Sequence, residues 1–442
     1  MIGDHLSYVV SEQPDIDWYR LGHHLPFEWI EQAVEATGAA SIRKRRLPAE
    51  QVVWLVVALA LYRHQSIGEV VDTLDLALPD PEAPFISKSA VTQARERLGE
   101  APLAWLFHVS ARAWAVQDEA AYRVKGLRLL AMDGTTLRTP DNAATRNHFG
   151  AQAYTSGKVA SYPQVRALTV TSIPTHIVVD TAFGEYEINE MVYAKSLVPR
   201  IPDHSLTVFD RGFFAAEILC GLTQEGENRH FLIPVKSNTQ WEVLESDHDD
   251  ALVKMRVSPQ ARKKCPSLPE YWIGRLVKAL DSQGRQRLLL TSLTDRRRFK
   301  AIDIVACYER RWQVETSYRE LKQTMLGMAL TLRSRTVEGI NQEIWGALIA
   351  YNLIRLEIAK TALQAKCAPT DISFVRAFHT IQYEMRWAAA TRSYGKLPKL
   401  LQRLRERMSE LTNKKRPGRL YARAVKSLPK RYTVIHLTKR LI

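Results

Sequence analysis

The chain has 442 residues, enough for two to four domains, and its 46% apolar and 25% charged residues exclude a disordered or collagen-like chain as well as a single small module. Lys and Arg number 62 against 47 Asp and Glu, and this net +15 points to a polyanionic partner, either nucleic acid or an acidic membrane surface. The first 12 residues hold no basic apolar leader, the longest apolar run (residues 52–62) is far short of the ~20 that a membrane span needs, and Cys220, Cys265, Cys307 and Cys367 have neither zinc nor disulfide spacing. A cytoplasmic protein without a membrane partner is expected.

Apolar residues first recur at helical spacing, over 27–35, 49–62, 66–74, 90–98 (with Ser89 as the start signal) and 104–116, with a loop at 79–84. The third and fourth helices could be parts of a helix-turn-helix-like DNA reader presenting Gln93, Arg95 and Arg97, although their connection is long for that motif. Of the first 120 residues, 10 are basic and 17 acidic. Base reading there would rest on local clusters such as Arg43-Lys44-Arg45-Arg46, and the plainer reading is a helical domain with one basic patch.

At Leu127 the period changes. Residues 128–132 form an apolar strand running into Asp133-Gly134-Thr135-Thr136, and 165–173 and 176–181 are two more strands joined by a Pro174-Thr175 turn. A helix (188–198), a strand (206–209) ending in Asp210-Arg211-Gly212, a helix (215–224) and a strand (230–235) follow. A three-strand meander and then alternating helix and strand describe an α/β fold with a ribonuclease-H-like mixed sheet. Short alternating runs between 237 and 298 read as a β-rich insertion. Helical period returns over 301–365, and a helical segment from 374 to 408 leads into a basic tail. From Arg392 onward, sixteen Lys and Arg face only Glu406 and Glu410, so nearly all of the net charge sits there. That tail is either a solvated charge run or an ordered phosphate-binding segment. Five segments result: an all-α N-terminal DNA-binding domain (1–122), the first part of the catalytic core (123–236), the β-rich insertion (237–298), the second part of the core (299–365) and a helical, basic C-terminal region (366–442).

In a sheet of that order the first and fourth strands are parallel neighbours, so Asp133 and Asp210, each expected to close its strand before a glycine turn, come together. Two carboxylates at one spot repel unless a cation neutralises them, as the paired ions of phosphoryl-transfer sites do. Taken alone, either Asp would be ordinary turn chemistry. The helix over 302–325 carries Tyr308, Arg311, Glu315 and Lys322, whose offsets fall within about 60° of arc at ~100° per residue. On periodicity alone a surface stripe with an Arg311–Glu315 pair accounts for it. Asp180 is a weaker alternative carboxylate, and His23, His24, His148 and His204 have no metal or triad spacing.

Together these residues resemble the signature of DDE transposases of the insertion sequence four family. The resemblance rests on the Y-x-x-R-x-x-x-E-x-x-x-x-x-x-K helix at full spacing, Asp133-Gly134-Thr135, Asp210-Arg211-Gly212-Phe213, the insertion between the second Asp and the Glu, and the segment 89–98. It implies a bacterial insertion-sequence enzyme in which Asp133, Asp210 and Glu315 are catalytic and hold two Mg²⁺ ions, with Mn²⁺ able to substitute. Tyr308, Arg311 and Lys322 become auxiliary DNA contacts, joined by Arg211 and Arg319. Family members place an aromatic ring of the insertion against a flipped base at a hairpin end, and Trp241 and Trp272 are the candidates here, with core packing as the plainer reading of both. The implied partners are double-stranded DNA, as transposon ends with inverted repeats and as target, and a second copy of the chain in a homodimer. The reaction implied is cleavage of both strands, through a hairpin, and joining of 3′ ends to target. A catalytically inactive, transposase-derived DNA-binding protein is the alternative. End recognition in this family usually depends on the N-terminal part, which is net acidic here, so the segment that reads the ends stays open.

Overall fold

The computed structural model describes residues 25–40, 47–73, 86–116, 119–153, 158–327, 331–391 and 434–436, with 405, 408 and 409. The Arg43–Arg46 cluster, the 79–84 loop, His23, His24 and nearly all of the basic tail lie outside them. Among the described residues, five helices come first: α1 (Phe27–Ala36), α2 (Ala49–Leu61), α3 (Ile67–Thr73), α4 (Lys88–Leu98) and α5 (Ala101–Val116). The α/β part follows as β1 (Arg128–Arg138), α6 (Ala143–Phe149), β2 (Lys158–Ala160), β3 (Gln164–Ser172), β4 (Val178–Glu185), α7 (Glu190–Leu197), β5 (Ser205–Phe209), α8 (Ala216–Gln224) and β6 (Arg229–Pro234). Next are β7 (Glu242–Asp247), β8 (Asp250–Arg256), α9 (Pro259–Lys264), β9 (Tyr271–Leu280) and β10 (Gln286–Thr291). The chain then returns to helix with α10 (Ala301–Glu309), α11 (Gln313–Arg319), α12 (Val337–Gln364) and α13 (Phe374–Thr391), and a short β11 (Val434–His436) pairs antiparallel with β2.

Among the described residues the main sheet has nine strands in the order β4-β3-β1-β5-β6-β10-β9-β8-β7. Within it β1 pairs antiparallel with β3, β3 antiparallel with β4, and β1, β5 and β6 run parallel, which is the ribonuclease-H-like arrangement. Side chains alternate across a strand, so the two faces separate cleanly. Leu130 and Met132 pack with Ala194 and Leu197 of α7 and Ile218 and Leu222 of α8. Leu129 and Ala131, with Leu206 and Val208 of β5, pack against Ile304, Val305, Val314 and Tyr318 of α10 and α11.

The insertion is not a separate β domain, because β10 pairs with β6 and carries β9, β8 and β7 into the same sheet. Arg275 fastens it. This buried guanidinium is bound to Asp250 and donates to the carbonyls of Leu293 and Phe299, as a buried charge requires.

Three local expectations are corrected. β1 does not end at Asp133 but runs to Arg138, its outer half held by pairing with β3 as far as Arg138↔Gln164. α4 starts earlier than Ser89; Ser87 is extended and its hydroxyl accepts from the Ala90 amide. Arg95 is not a free base reader, since it donates to Gln342, Ser334 and the Gly339 carbonyl at the start of α12.

α2 is apolar on almost every side and crosses the long, buried α12. At the crossing a Cβ on Gly346 would stand 2.9 Å from the Val56 carbonyl oxygen and 2.7 Å from its Cγ1. Backbone cannot yield as a flexible side chain can. Gly346→Ala is therefore expected to lower unfolding free energy by about 1–3 kcal/mol, read from the urea midpoint of the full chain. Among the described residues, no helix is long and apolar enough to cross a membrane.

Candidate active site

The parallel ladder between β1 and β5 ends at Met132↔Phe209, so Asp133 and Asp210 are the next residues on adjacent strands. By alternation both continue the face of Ala131 and Val208, the face covered by α10 and α11. Asp210 caps a 3₁₀ turn, Arg211–Phe213: its Oδ1 accepts from the Gly212 amide at 2.6 Å while Phe213 is buried as an anchor. The glycine after Asp133 has a different purpose from the turn expected of it. A Cβ on Gly134 would meet the Glu190 carboxylate at 2.7 Å, and Glu190 in turn pairs with Arg166 at 3.1 Å.

Residues 301–325 form one helical run that departs twice from α geometry, at a 3₁₀ turn over Arg310–Trp312 and a π turn over Glu320–Met325. Its buried face lies on the sheet, and the Tyr318 hydroxyl donates to the main-chain oxygen of Asp133, with Thr169 Oγ1 2.8 Å away. The helix is thereby tied to the peptide that carries the first carboxylate. Arg311 Nη2 stands 3.5 Å from Glu315 Oε1, with the arginine side chain 11% exposed and the carboxylate 43%. Lys322 Nζ donates to Thr135 Oγ1 at 3.1 Å, two residues beyond Asp133 on β1.

Electrostatics record the convergence. Burial pushes the Asp133 carboxyl up to about 6; the Gly134 amide and Arg311 oppose the rise, and the charges of Asp210 and Glu315 add to it. So the two expected carboxylates and the expected arginine all act on Asp133.

The other predicted residues are distributed around this centre. Tyr308 is half-buried against the Leu129–Val208 cluster, and Arg211 and Arg319 are exposed. Trp241 and Trp272 are half-buried on the insertion side of the sheet, Trp272 edge-on to Phe231 with ring centroids 5.7 Å apart. Asp180 is buried in an ion pair with Arg200 at 3.1 Å, which gives it a structural partner of its own. His148 packs edge-on to Phe149.

Sequence reasoning passed over Tyr318 and Trp312. Tyr318 could have been suspected, since a tyrosine on the buried stripe of a helix needs a hydrogen-bond partner. Trp312 is 59% exposed, and the Arg311 guanidinium lies 5.1 Å from its ring centroid.

Three carboxylates are hard oxygen donors, the type that Mg²⁺ and Mn²⁺ take, and their mutual repulsion around Asp133 is what a divalent cation would relieve. In the present arrangement Asp210 is engaged by Gly212 and Glu315 leans toward Arg311, and no three Asp, Glu, His or Cys among the described residues are drawn together as a closed metal site.

Comparison with known proteins gives matches along most of the chain. Residues 16–108 match the insertion element 4 transposase N-terminal model, and residues 125–353 match the transposase DDE domain. The chain is 36% identical over 414 residues to the transposase InsG for insertion sequence element IS4 of Escherichia coli (strain K12), covering 93% of this chain and 92% of that one. A putative transposase, InsZ, of the same organism is 37% identical over 229 residues, 50% of this chain and 73% of the relative. Among solved structures, a piggyBac transposase synaptic complex with hairpin DNA aligns with a TM-score of 0.43 at 12% identity, over 92% of this chain and 88% of that one.

Proposed function

The chain belongs to the insertion element 4 family of DDE transposases, and from that membership we propose that Asp133, Asp210 and Glu315 are its catalytic metal ligands. One observation carries the assignment: the Asp133 carboxyl feels Asp210, Glu315 and Arg311 together, at the point where the parallel ladder stops. Enzymes of this class use divalent metal. Two Mg²⁺ ions, replaceable by Mn²⁺, would lower the pKa of an attacking water or 3′-hydroxyl and stabilise the in-line transition state.

The chain's own groups do the rest. Arg311, Glu315 and Lys322 share one flank of the helix, so the two cations offset phosphate charge beside the ligand carboxylate. Tyr308, Arg211 and Arg319 extend that contact along the DNA backbone. Trp241, Trp272 and the exposed Trp312 are the rings that an unpaired base at a hairpin end would meet. The substrate is double-stranded DNA, with terminal inverted repeats at the element ends and a separate target. A homodimer brings two ends together, and the 1–122 segment and the basic 366–442 region supply DNA contacts beyond the core. Such a protein works in the bacterial cytoplasm, on the nucleoid.

The test is incubation of the full chain with Mg²⁺ or Mn²⁺ and duplexes bearing the element's own terminal repeats. Nicks followed by hairpins are expected. Binding without product from any end sequence would leave only a DNA-binding role.

Lys322 is assigned to phosphate, not to metal. Lys322→Ala should slow cleavage by about 10–100-fold and reduce the slope of log binding constant against log salt by about 0.9. An unchanged slope would remove the phosphate contact.

A further inference from the structure

The flank of the signature helix opposite its catalytic stripe is occupied by a buried polar cluster. At about 100° per residue, Gln313 and Glu320 fall on one side of the buried face and Arg311, Glu315 and Lys322 on the other. The Glu320 carboxylate is bound by the Arg355 guanidinium through Nη2 and Nε (3.0 Å for Nε) and accepts from the Tyr351 hydroxyl at 2.9 Å. His176 Nδ1 lies 2.7 Å from Arg355 Nη2 and its Nε2 lies 3.1 Å from Gln313 Oε1. His176 Nδ1 also lies 3.3 Å from Glu320 Oε2, and burial together with the Arg355 charge holds the imidazole below its ordinary value. Arg355, Tyr351 and His176 are each only 1% exposed.

The cluster is anchored to the sheet at both of its outer corners. His176 sits at φ 62° in the turn between β3 and β4, in the left-handed region that histidine enters more readily than most residues. Asn352, next to Tyr351 on α12, exchanges two 2.8 Å hydrogen bonds with the Val178 main chain at the start of β4. The signature helix is therefore gripped at Gln313 and again at Glu320, where the π turn begins, and Glu315 lies between the two grips.

We propose that Gln313, Glu320, His176 and Arg355 form a rotational lock which sets the azimuth of the signature helix and so aims Glu315 at Asp133 and Asp210. They are positioning residues for the metal site. The apolar residues Val314, Leu321 and Met325 set the depth of the helix, and the Tyr318 hydroxyl and Lys322 tie its catalytic side to β1; the ion pair on the opposite flank supplies the second directional restraint that an azimuth needs. The inference rests on the assignment of Glu315 as a metal ligand.

The experiment compares the full-length parent, Glu315→Gln, and the double variant Glu320→Leu with Arg355→Met, which removes both buried charges at once and so leaves neither unpaired. Mn²⁺ binding is read from the electron paramagnetic resonance of the free ion without DNA, and cleavage is read as a function of Mg²⁺ on a terminal-repeat duplex. The double variant is expected to melt cooperatively, to bind Mn²⁺ about 10-fold more weakly or worse, and to need correspondingly more Mg²⁺. Parent-like Mn²⁺ affinity with a parent-like Mg²⁺ curve overturns the lock. Should the double variant not melt cooperatively, Gln313→Leu, which leaves the ion pair in place, decides in the same way: weaker Mn²⁺ binding supports the lock and parent-like binding overturns it. If Glu315→Gln itself keeps the parent's Mn²⁺ affinity, the ligand assignment fails and the lock falls with it; if it loses affinity while the lock variants do not, the lock alone is wrong.

Discussion

Glu315→Gln is expected to reduce strand cleavage by about 1000-fold or more, some 4 kcal/mol of barrier, while leaving binding to a terminal-repeat duplex within about 3-fold. The substitution keeps size and hydrogen-bonding shape and removes one charge. Arg311, 3.5 Å away, loses its carboxylate but keeps a possible amide-oxygen acceptor, so the helix surface is little disturbed. Asp210→Asn is an even cleaner probe. Its Oδ1 can still accept from the Gly212 amide, which preserves the 3₁₀ turn, so a loss of the same order would report charge at the metal and not collapse of the turn. Measured as single-turnover cleavage beside a gel-shift titration, near-parental cutting by any one of the Asp133→Asn, Asp210→Asn or Glu315→Gln variants would strike that residue from the ligand set.

Much of the fold was legible because it rests on local periodicity. The five N-terminal helices and the strands that open the core follow their apolar spacing, and β5 with the Asp210 turn lies where an apolar run meets Arg211-Gly212. What escaped was decided by pairing between distant segments. Gly134-Thr135-Thr136 reads as a turn because of its glycine, but the strand continues through it: the two β-branched threonines suit a strand, and β3 supplies a partner for all three residues. The insertion reads as a unit of its own until β10 is seen to add to β6. In the same way Arg95 looks like an exposed base reader on an amphipathic helix, and only the approach of α12 engages its guanidinium.

The candidate site shows the same division. Tyr308, Arg311, Glu315 and Lys322 were visible because one helix repeats them at a fixed angle. The Glu320–Arg355–His176 cluster was not, because its members lie on the helix, on α12 and in a strand turn, and each alone is an unremarked polar residue. The π turn at Glu320 has no sequence signal that periodicity can read, since it widens the helix by a single register step.

Asp133→Asn should make the metal-free protein more stable at neutral pH even as it abolishes cleavage. Folding raises this carboxyl from its ordinary 3.8 to about 6, chiefly through burial, so between those values the folded chain holds a proton that the unfolded chain has released. Stability is then fully present below about pH 4 and is lost as pH rises through about 6, by roughly 2–3 kcal/mol at ~1.4 kcal/mol per unit. Asparagine has no charge to desolvate and escapes that loss. Urea denaturation with a chelator present should therefore show the variant gaining roughly 2–3 kcal/mol on the parent between about pH 4 and pH 8; a difference flat across that range would mean that Asp133 does not titrate from a raised value. Adding Mn²⁺ at about pH 8 should then stabilise the parent more than the variant, because only the parent exchanges an uncompensated carboxylate for a bound cation. If the ion raised both melting temperatures equally, the stored repulsion around Asp133 would not be what the metal relieves.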